Sequence, residues 1–421
     1  MAPAGSFRGT FRLPGDKSIS HRLAIFSAVA EGETRLENYM TGADGMSTLH
    51  CLEQLGVDIA QAGPHITIRG HGWESLRAPE EPLDAGNSGT ALRLLPGILA
   101  GRPFRAVLTG DDSLLQRPVE RIAAPLRAMG ARVETTQGRA PLAIHGGTLQ
   151  CITWDSPVAS AQVKTAVLLA GLQAHGVTTA REPHLSRDHT ERWLPAFGVP
   201  VDVQPGEAGV TGPAKLSGIG PVVIPGDPSS AAFLVVAALI LPGSEVVIEH
   251  VLLNPERIAF LNVLRRMGAN IEVNATTDGP EAVGQIIARS SRLGGAEIGP
   301  DEVPGVIDEI PILAVAAANS EGTLDVTGAA ELRVKESDRI AALTQGLGRM
   351  GVQVDSRPDG IRITGGARPK GARVEAFGDH RIAMSLAVAA LGAQGDTEIA
   401  GAACAAVSFP EFFALLERGA H

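Results

Sequence analysis

One local pattern recurs six times along the chain. A polar residue opens a stretch that is apolar on nearly every face, a turn containing glycine follows, and then a strand-like run. The segments read SISHRLAIFSAVAEG from Ser18, NSGTALRLLPGILAG from Asn87, SAQVKTAVLLAGLQAHG from Ser160, SSAAFLVVAALILPG from Ser229, DEIPILAVAAANSEG from Asp308 and DHRIAMSLAVAALGAQG from Asp379. Their starts are 69, 73, 69, 79 and 71 residues apart. A second, more charged helix follows each strand and runs into glycine: LEQLG, PLRAMG, LPAFG, VLRRMG, GLGRMG and FALLERG. Glycine there is a helix stop. Each unit therefore reads β-α-β-α-β-β over about 70 residues. The sixth ends where its third strand would begin.

A repeat of this kind cannot bury its apolar helix alone and must pack against its neighbours. Helices apolar all round belong inside, with sheets outside them. Three buried parallel helices walled by sheets make one globule, so the expected fold is α/β, in two inside-out domains of three repeats. The Pro-Gly signals PGDKS (Pro14–Ser18) and PGDPSS (Pro225–Ser230) halve the chain. The expected domains are residues 1–15 plus 226–421, discontinuous, and residues 16–225.

Composition narrows the function classes. Hydrophobic residues are 44% but aromatics only 4%, so Ala, Val, Leu and Ile build the core. With 19% charged residues and a mean hydropathy of +0.12, disorder is excluded. A net charge of −10 argues against nucleic-acid and anionic-membrane partners. The longest apolar run, Ala231 to Leu241, is short of the ~20 residues of a membrane span. The N-terminus lacks the apolar core of a secretory signal, and a cytoplasmic location is expected. Cys51, Cys151 and Cys404 are dispersed without a CxxC pair, which suggests neither a disulfide framework nor a thiolate zinc site. Cys151 and Cys404 read as small buried residues.

The helix starts carry the chemistry. Ser18, Asn87 with Ser88, Ser160, Ser229, Asp308 and Asp379 are all polar, which ordinary capping explains in part. Four of these starts also hold cations: Lys17 and Arg22, Arg93, Lys164, and His380 with Arg381. A cation is unfavourable toward the positive end of a helix dipole, so an anion is expected between them. RVKESDR places Lys335, Glu336 and Arg339 just before a helix, where ion pairs within the segment are the plain alternative. LLQRP sets Arg117 before a proline-started helix, or leaves it a lone surface arginine. IDEIP puts Asp308 and Glu309 beside an apolar run, where burial would raise a carboxyl pKa toward a base or acid role. GLGRMG (Gly346–Gly351) satisfies GxGxxG but sits between helix and strand, the reverse of a dinucleotide site. PHLSRDHTE invites a metal reading, yet no HExxH occurs, and the metal expectation is none.

PGDKSISHR, GNSGTALR, LQRP, ASAQVK, SRDHTE, RVKESDR and DHRIAMS, in that order, resemble the 5-enolpyruvylshikimate-3-phosphate synthase family nearly end to end. ASAQVK and SRDHTE resemble its second, glyphosate-tolerant class. The resemblance implies transfer of the enolpyruvyl group of phosphoenolpyruvate to the 5-hydroxyl of shikimate 3-phosphate, with phosphate released. It implies no cofactor, a monomer, and inhibition by glyphosate. Carried over by motif, Asp308 takes the hydroxyl proton, Glu336 protonates the methylene carbon, and Lys17 contacts both substrates. Asn87, Gly89, Arg117, Gln162, Arg339 and Arg381 would join Lys17 around phosphoenolpyruvate. Ser18, Arg22, Ser160, Ala161, Gln162, Arg187, Asp308 and Lys335, again with Lys17, would hold shikimate 3-phosphate.

The sequence departs from the family at several of these places. Val407 stands where a lysine often precedes Ser408-Phe409-Pro410, and Ala161, Glu331 and Leu94 replace the serine, asparagine and proline of the enteric class. Gly89 stands where the tolerant class can carry alanine, so intermediate glyphosate tolerance is expected. Two rival readings are a sister transferase acting on a UDP-amino sugar and a two-lobed anion binder without catalysis. Leu115-Gln116 in place of a reactive cysteine counts against the first, and Asp308 with Glu336 against the second.

Overall fold

The computed structural model describes residues 1–421, with the backbone alone at residue 278. It divides into two compact units, Gly15–Ile224 and Met1–Pro14 with Pro225–His421. In the unit Gly15–Ile224 the three central helices are α1 (Lys17–Val29), α2 (Gly89–Leu99) and α3 (Ala161–Gly171). In the other they are α4 (Pro228–Ile240), α5 (Ile310–Ala318) and α6 (His380–Gly392). Burial is nearly complete around each: every residue from Ile19 to Val29 and from Ile310 to Ala318 is buried. Ser27 Oγ inside α1 is satisfied locally, donating to the Leu23 carbonyl at 2.6 Å.

Four of the six central helices, α2, α3, α5 and α6, cross over between two parallel strands of one sheet. In the third repeat Thr153–Asp155 pairs parallel with Gly176–Arg181. Gly176–Arg181 then pairs antiparallel with Glu207–Gly212, which pairs antiparallel with Asp202–Gln204. The spatial order first-second-fourth-third recurs in the second and fifth repeats. This is the β-α-β-α-β-β unit that the sequence periodicity predicts.

The first and fourth repeats obtain their leading strand from far along the chain. Leu216–Ser217 and Val222–Val223 run parallel to Ala30–Glu37, while Arg8–Arg12 runs parallel to Glu245–Leu252. The strand just before α1 thus serves α4. The sixth repeat has only Arg373–Glu375 and Glu398–Ala400, and ends in the helix Phe412–Gly419. There Phe412 meets the rings of Phe233 and Phe409, each at 5.7 Å between centroids.

Five of the outer helices stop at Gly56, Gly130, Gly198, Gly268 and Gly351, all with φ between +81° and +106°. That left-handed conformation disfavours a Cβ. Two of the three glycines of GLGRMG have structural roles: Gly351 ends its helix, and a Cβ on Gly346 would lie 2.9 Å from Leu386 Cδ2, whereas one on Gly348 would meet open space.

Several local expectations need correction. The cap of α1 is Asp16, which accepts from Ile19 N at 2.8 Å, and Ser18 lies inside the helix. Asp227, not Ser229, caps α4, accepting from Ser229 N at 2.7 Å. The residue before α5 is Glu309, with no side-chain cap bond. The helix after Arg117 starts at Glu120, two residues beyond Pro118, because Val119 N bonds to Gly138 O instead. Cys151 is exposed and Cys404 half-buried; only Cys51 is buried. Burial pushes the Cys51 thiol up to about 12, with Asp84 adding to it.

Candidate active site

In the unit Gly15–Ile224 the site residues gather at the starts of α1, α2 and α3. Lys17 is the first residue of α1, and its ammonium is paired with the buried carboxylate of Asp44 on the helix Ala43–Gln54. One turn on, His21 Nδ1 lies 2.7 Å from Thr48 Oγ1. Burial drives this imidazole down to about 3, against the pull of Asp44 and with help from Lys17 and Arg22, so His21 is neutral. Arg22 is buried, not at the surface. It donates to the Ser18 carbonyl (3.0 Å), the Ala161 carbonyl (3.4 Å), Thr165 Oγ1 (2.9 Å) and Thr190 Oγ1 (2.9 Å). It therefore ties the first turn of α1 to the first turn of α3.

The start of α2 meets two further arginines. Ser88 caps it, and Gly89 is its first residue. Arg93 donates to Gly89 O and to Gln162 Oε1, both at 3.3 Å, and to Pro118 O at 3.2 Å. Gln162 in turn donates to Thr90 Oγ1 at 3.3 Å. Arg117 is buried, not a lone surface arginine, and donates to Asn87 Oδ1 at 2.8 Å. Asn87 donates onward to Asp111 Oδ2 at 2.7 Å. A Cβ on Gly89 would stand 2.8 Å from Arg93 Nη1 and 3.2 Å from Arg117 Nη1. Both guanidinium groups thus close on the one residue that lacks a side chain.

Ser160 caps α3, with Ala161 as its first residue. Lys164 takes no part at the helix start: it is buried, with Glu182 Oε1 at 2.8 Å and Glu191 Oε1 at 2.7 Å. The expectation of an external anion opposite Lys164 is overturned, because the protein's own carboxylates answer its charge. Glu182 also accepts from Ser186 N and Oγ at 2.9 and 2.6 Å, which folds back the loop carrying half-buried Arg187.

The other unit concentrates opposite charges. Arg339, the first residue of the helix Arg339–Arg349, is 1% exposed and surrounded by three carboxylates. Its Nε is 2.8 Å from Asp379 Oδ2, its Nη2 is 2.6 Å from Glu336 Oε2, and its Nη1 is 3.5 Å from Asp308 Oδ1. Burial opposes the arginine's charge, but Asp379, Glu336 and Asp308 outweigh it and hold its pKa above the usual value. Burial likewise opposes ionisation of Asp379, and Arg339 overrides it to hold the carboxyl below its usual range.

Arg381, in the first turn of α6, donates to the Asp308 carbonyl at 2.8 Å. It also reaches Asp308 Oδ2 and Glu309 Oε1, each at 3.6 Å. Lys335 is half-buried beside this group. Desolvation lowers its pKa with help from Arg339, against the pull of Asp308, Glu331 and Glu336. Asp308, Lys335, Glu336, Arg339 and Arg381 are thus brought together within one unit. Sequence reasoning had no signal for Asp44 as the partner of Lys17, nor for Asp379 as the buried partner of Arg339.

A family model described as EPSP synthase (3-phosphoshikimate 1-carboxyvinyltransferase) matches residues 1–416. The chain belongs to the EPSP synthase family. It is 49% identical over 420 residues to the 3-phosphoshikimate 1-carboxyvinyltransferase of Citrifermentans bemidjiense, covering 99% of this chain and 98% of that one. Among solved structures it resembles the EPSP synthase of Acinetobacter baumannii, with a TM-score of 0.88 at 44% identity, covering 100% of this chain and 97% of that one. The enolpyruvyl transferase NikO from Streptomyces tendae shares the fold at a TM-score of 0.80 and 19% identity, covering 100% of this chain and 96% of that one. The mixed α/β architecture of EPSP synthases is therefore that of this chain. No helix of the described residues is long and apolar enough to cross a membrane.

Proposed function

We propose that this chain is a 3-phosphoshikimate 1-carboxyvinyltransferase, which moves the enolpyruvyl group of phosphoenolpyruvate to the 5-hydroxyl of shikimate 3-phosphate. The observation that carries the reading is the pair of carboxylates, Asp308 and Glu336, ranged on the single buried guanidinium of Arg339 in a chain matched end to end by its family. An addition and elimination on phosphoenolpyruvate needs one base, one carbon acid and fixed cations for the developing charge.

Asp308 takes the proton of the 5-hydroxyl as its oxygen bonds to C2 of phosphoenolpyruvate. Glu336 delivers a proton to the methylene carbon, which becomes a methyl group. In the tetrahedral adduct the bond from C2 to the phosphate oxygen then breaks, phosphate leaves, and Glu336 takes a proton back from the methyl group. Lys17 contacts both substrates and assists the departing phosphate. Arg117, Arg339 and Arg381 hold phosphoenolpyruvate, since planar guanidinium groups match carboxylate and phosphate oxygens. Asn87 orients Arg117, and Gly89 and Gln162 complete that subsite. Ser18, Ser160, Ala161, Gln162, Arg187 and Lys335 bind shikimate 3-phosphate, and Arg22 joins them by fixing the turns of Ser18 and Ala161.

ASAQVK and SRDHTE support membership of the glyphosate-tolerant class, while Gly89 supports sensitivity by leaving room between Arg93 and Arg117. The resulting proposal is intermediate tolerance, in a cytoplasmic monomer. The deciding experiment is phosphate release by the purified chain with both substrates. Turnover should require phosphoenolpyruvate and shikimate 3-phosphate together, and Asp308→Asn and Glu336→Gln should each lower kcat by ~10²–10⁴-fold. Turnover with a UDP-amino sugar in place of shikimate 3-phosphate would sink the reading.

A further inference from the structure

Glu309 is a carboxylate that the proposed chemistry does not use, and it is 2% exposed. A buried carboxylate is retained only where partners meet its charge. Two of its partners lie at the starts of the other two central helices of its unit. Ser229 Oγ, in α4, donates to Glu309 Oε1 at 2.5 Å, and Arg381 Nη1, in α6, stands 3.6 Å from the same oxygen. Glu309 itself immediately precedes α5. One carboxylate thus joins the starts of α4, α5 and α6.

The direction of the chain of hydrogen bonds is fixed. Arg257 Nη2 is 3.0 Å from Ser229 Oγ and 2.9 Å from Asp227 Oδ1, and an arginine can only donate. The Ser229 hydroxyl accepts from Arg257, so its single proton points at Glu309. Glu309 accepts, and its negative charge is directed at Arg381. The same guanidinium donates to the Asp308 carbonyl and lies 3.6 Å from Asp308 Oδ2. Two consecutive carboxylates, Asp308 and Glu309, therefore pull Arg381 from two directions.

We infer that Glu309 is a positioning residue for Arg381, and through it for phosphoenolpyruvate. Without the charge on Glu309, the guanidinium is held by Asp308 alone and turns toward it. That displaces the arginine from its ligand and engages the carboxylate needed as base. Ser229 and Arg257 keep Glu309 aimed. The inference rests on the proposed function, in which Arg381 holds phosphoenolpyruvate.

The test is steady-state kinetics of the full chain carrying Glu309→Gln, with Ser229→Ala as a second variant that leaves the charge in place. Glu309→Gln should raise the KM for phosphoenolpyruvate by about tenfold, the scale of one misdirected charge-assisted contact, and leave that for shikimate 3-phosphate within about twofold. Ser229→Ala should shift the same constant in the same direction by about threefold, and Glu309→Asp, which keeps the charge, should recover part of the loss. Equal changes in both KM values, or a lower melting temperature with both unchanged, would reduce Glu309 to a core stabiliser and overturn the inference alone. A wild-type chain with no turnover on the two substrates would overturn the proposed function and this inference with it.

Discussion

Asp379 serves Arg339 and the start of α6 at once: its Oδ2 lies 2.8 Å from Arg339 Nε while its Oδ1 accepts from Arg381 N at 2.9 Å. The helix cap and the buried ion pair share one carboxylate, which couples the placement of two arginines proposed to hold phosphoenolpyruvate.

Replacing Asp379 by Asn keeps an acceptor for the cap and leaves Arg339 short of its deepest counter-charge. Breaking a buried pair from one side costs about 3–5 kcal/mol, and Asp379→Asn should lower stability by that order in urea unfolding. The pair also sets a pH window. Because the folded carboxyl is held below its ordinary value, the stability it supplies is complete above about pH 4 and is lost as pH falls through the folded value. Asp379→Asn should remove that acid-side loss; a variant that loses stability with acid as steeply as the wild type would contradict it.

His21 also costs the fold stability in acid, but as a group held neutral instead of charged. Its folded pKa is about 3 against an ordinary 6.5, so the unfolded chain takes up a proton that the folded chain refuses. Stability should fall steadily between pH 6.5 and 3, by several kcal/mol across the window, and His21→Asn should flatten the slope. Melting temperatures measured between pH 7 and 4.5 decide it, and equal slopes for the two proteins would exclude His21 as the source.

Gly89→Ala places a methyl group 2.8 Å from Arg93 Nη1 and 3.2 Å from Arg117 Nη1. Both contacts are the ends of side chains, so the guanidinium groups shift and the fold persists. The KM for phosphoenolpyruvate should rise by about tenfold, and the inhibition constant for glyphosate by at least as much. An unaltered KM would mean that neither arginine faces the ligand.

Lys164→Met leaves Glu182 and Glu191 facing each other's charge in the interior. We expect a loss of about 3–5 kcal/mol at neutral pH. Burial already pushes the Glu191 carboxyl up, and without the opposing lysine it rises further. The deficit should therefore shrink as pH falls toward 5, since protonation removes the uncompensated charge. A deficit that grows in acid in thermal unfolding would refute this account of the cluster.

What the sequence makes legible is what is local and periodic. Six central helices, their spacing and the glycines that end the outer helices follow from residues within one or two turns of each other. Pairing across the chain was harder to see. Nothing in Arg8–Arg12 says that it joins Glu245–Leu252 and not the repeat that follows it, because both are short strands of the same pattern. Charge matching was hidden for the same reason. Lys164 invites an outside anion until the loop brings Glu182 and Glu191 to it, 18 and 27 residues further along the chain. The motif residues on α6 and in RVKESDR could be found because each group lies within a few positions. Asp44, held against Lys17 by the packing of two helices, has no such signature.

The parallel pairing of Arg8–Arg12 with Glu245–Leu252 also fixes an order of events during synthesis. The segment Arg8–Arg12 has no partner until more than 230 further residues are made. At ~5–20 residues per second that is a wait of roughly 10–50 seconds. Meanwhile the whole of Gly15–Ile224, with its own closing strands Leu216–Ser217 and Val222–Val223, can be completed. This strand is thus a late joiner, and Arg8 and Arg12, both exposed on it, keep its unpaired edge charged and soluble in the interval.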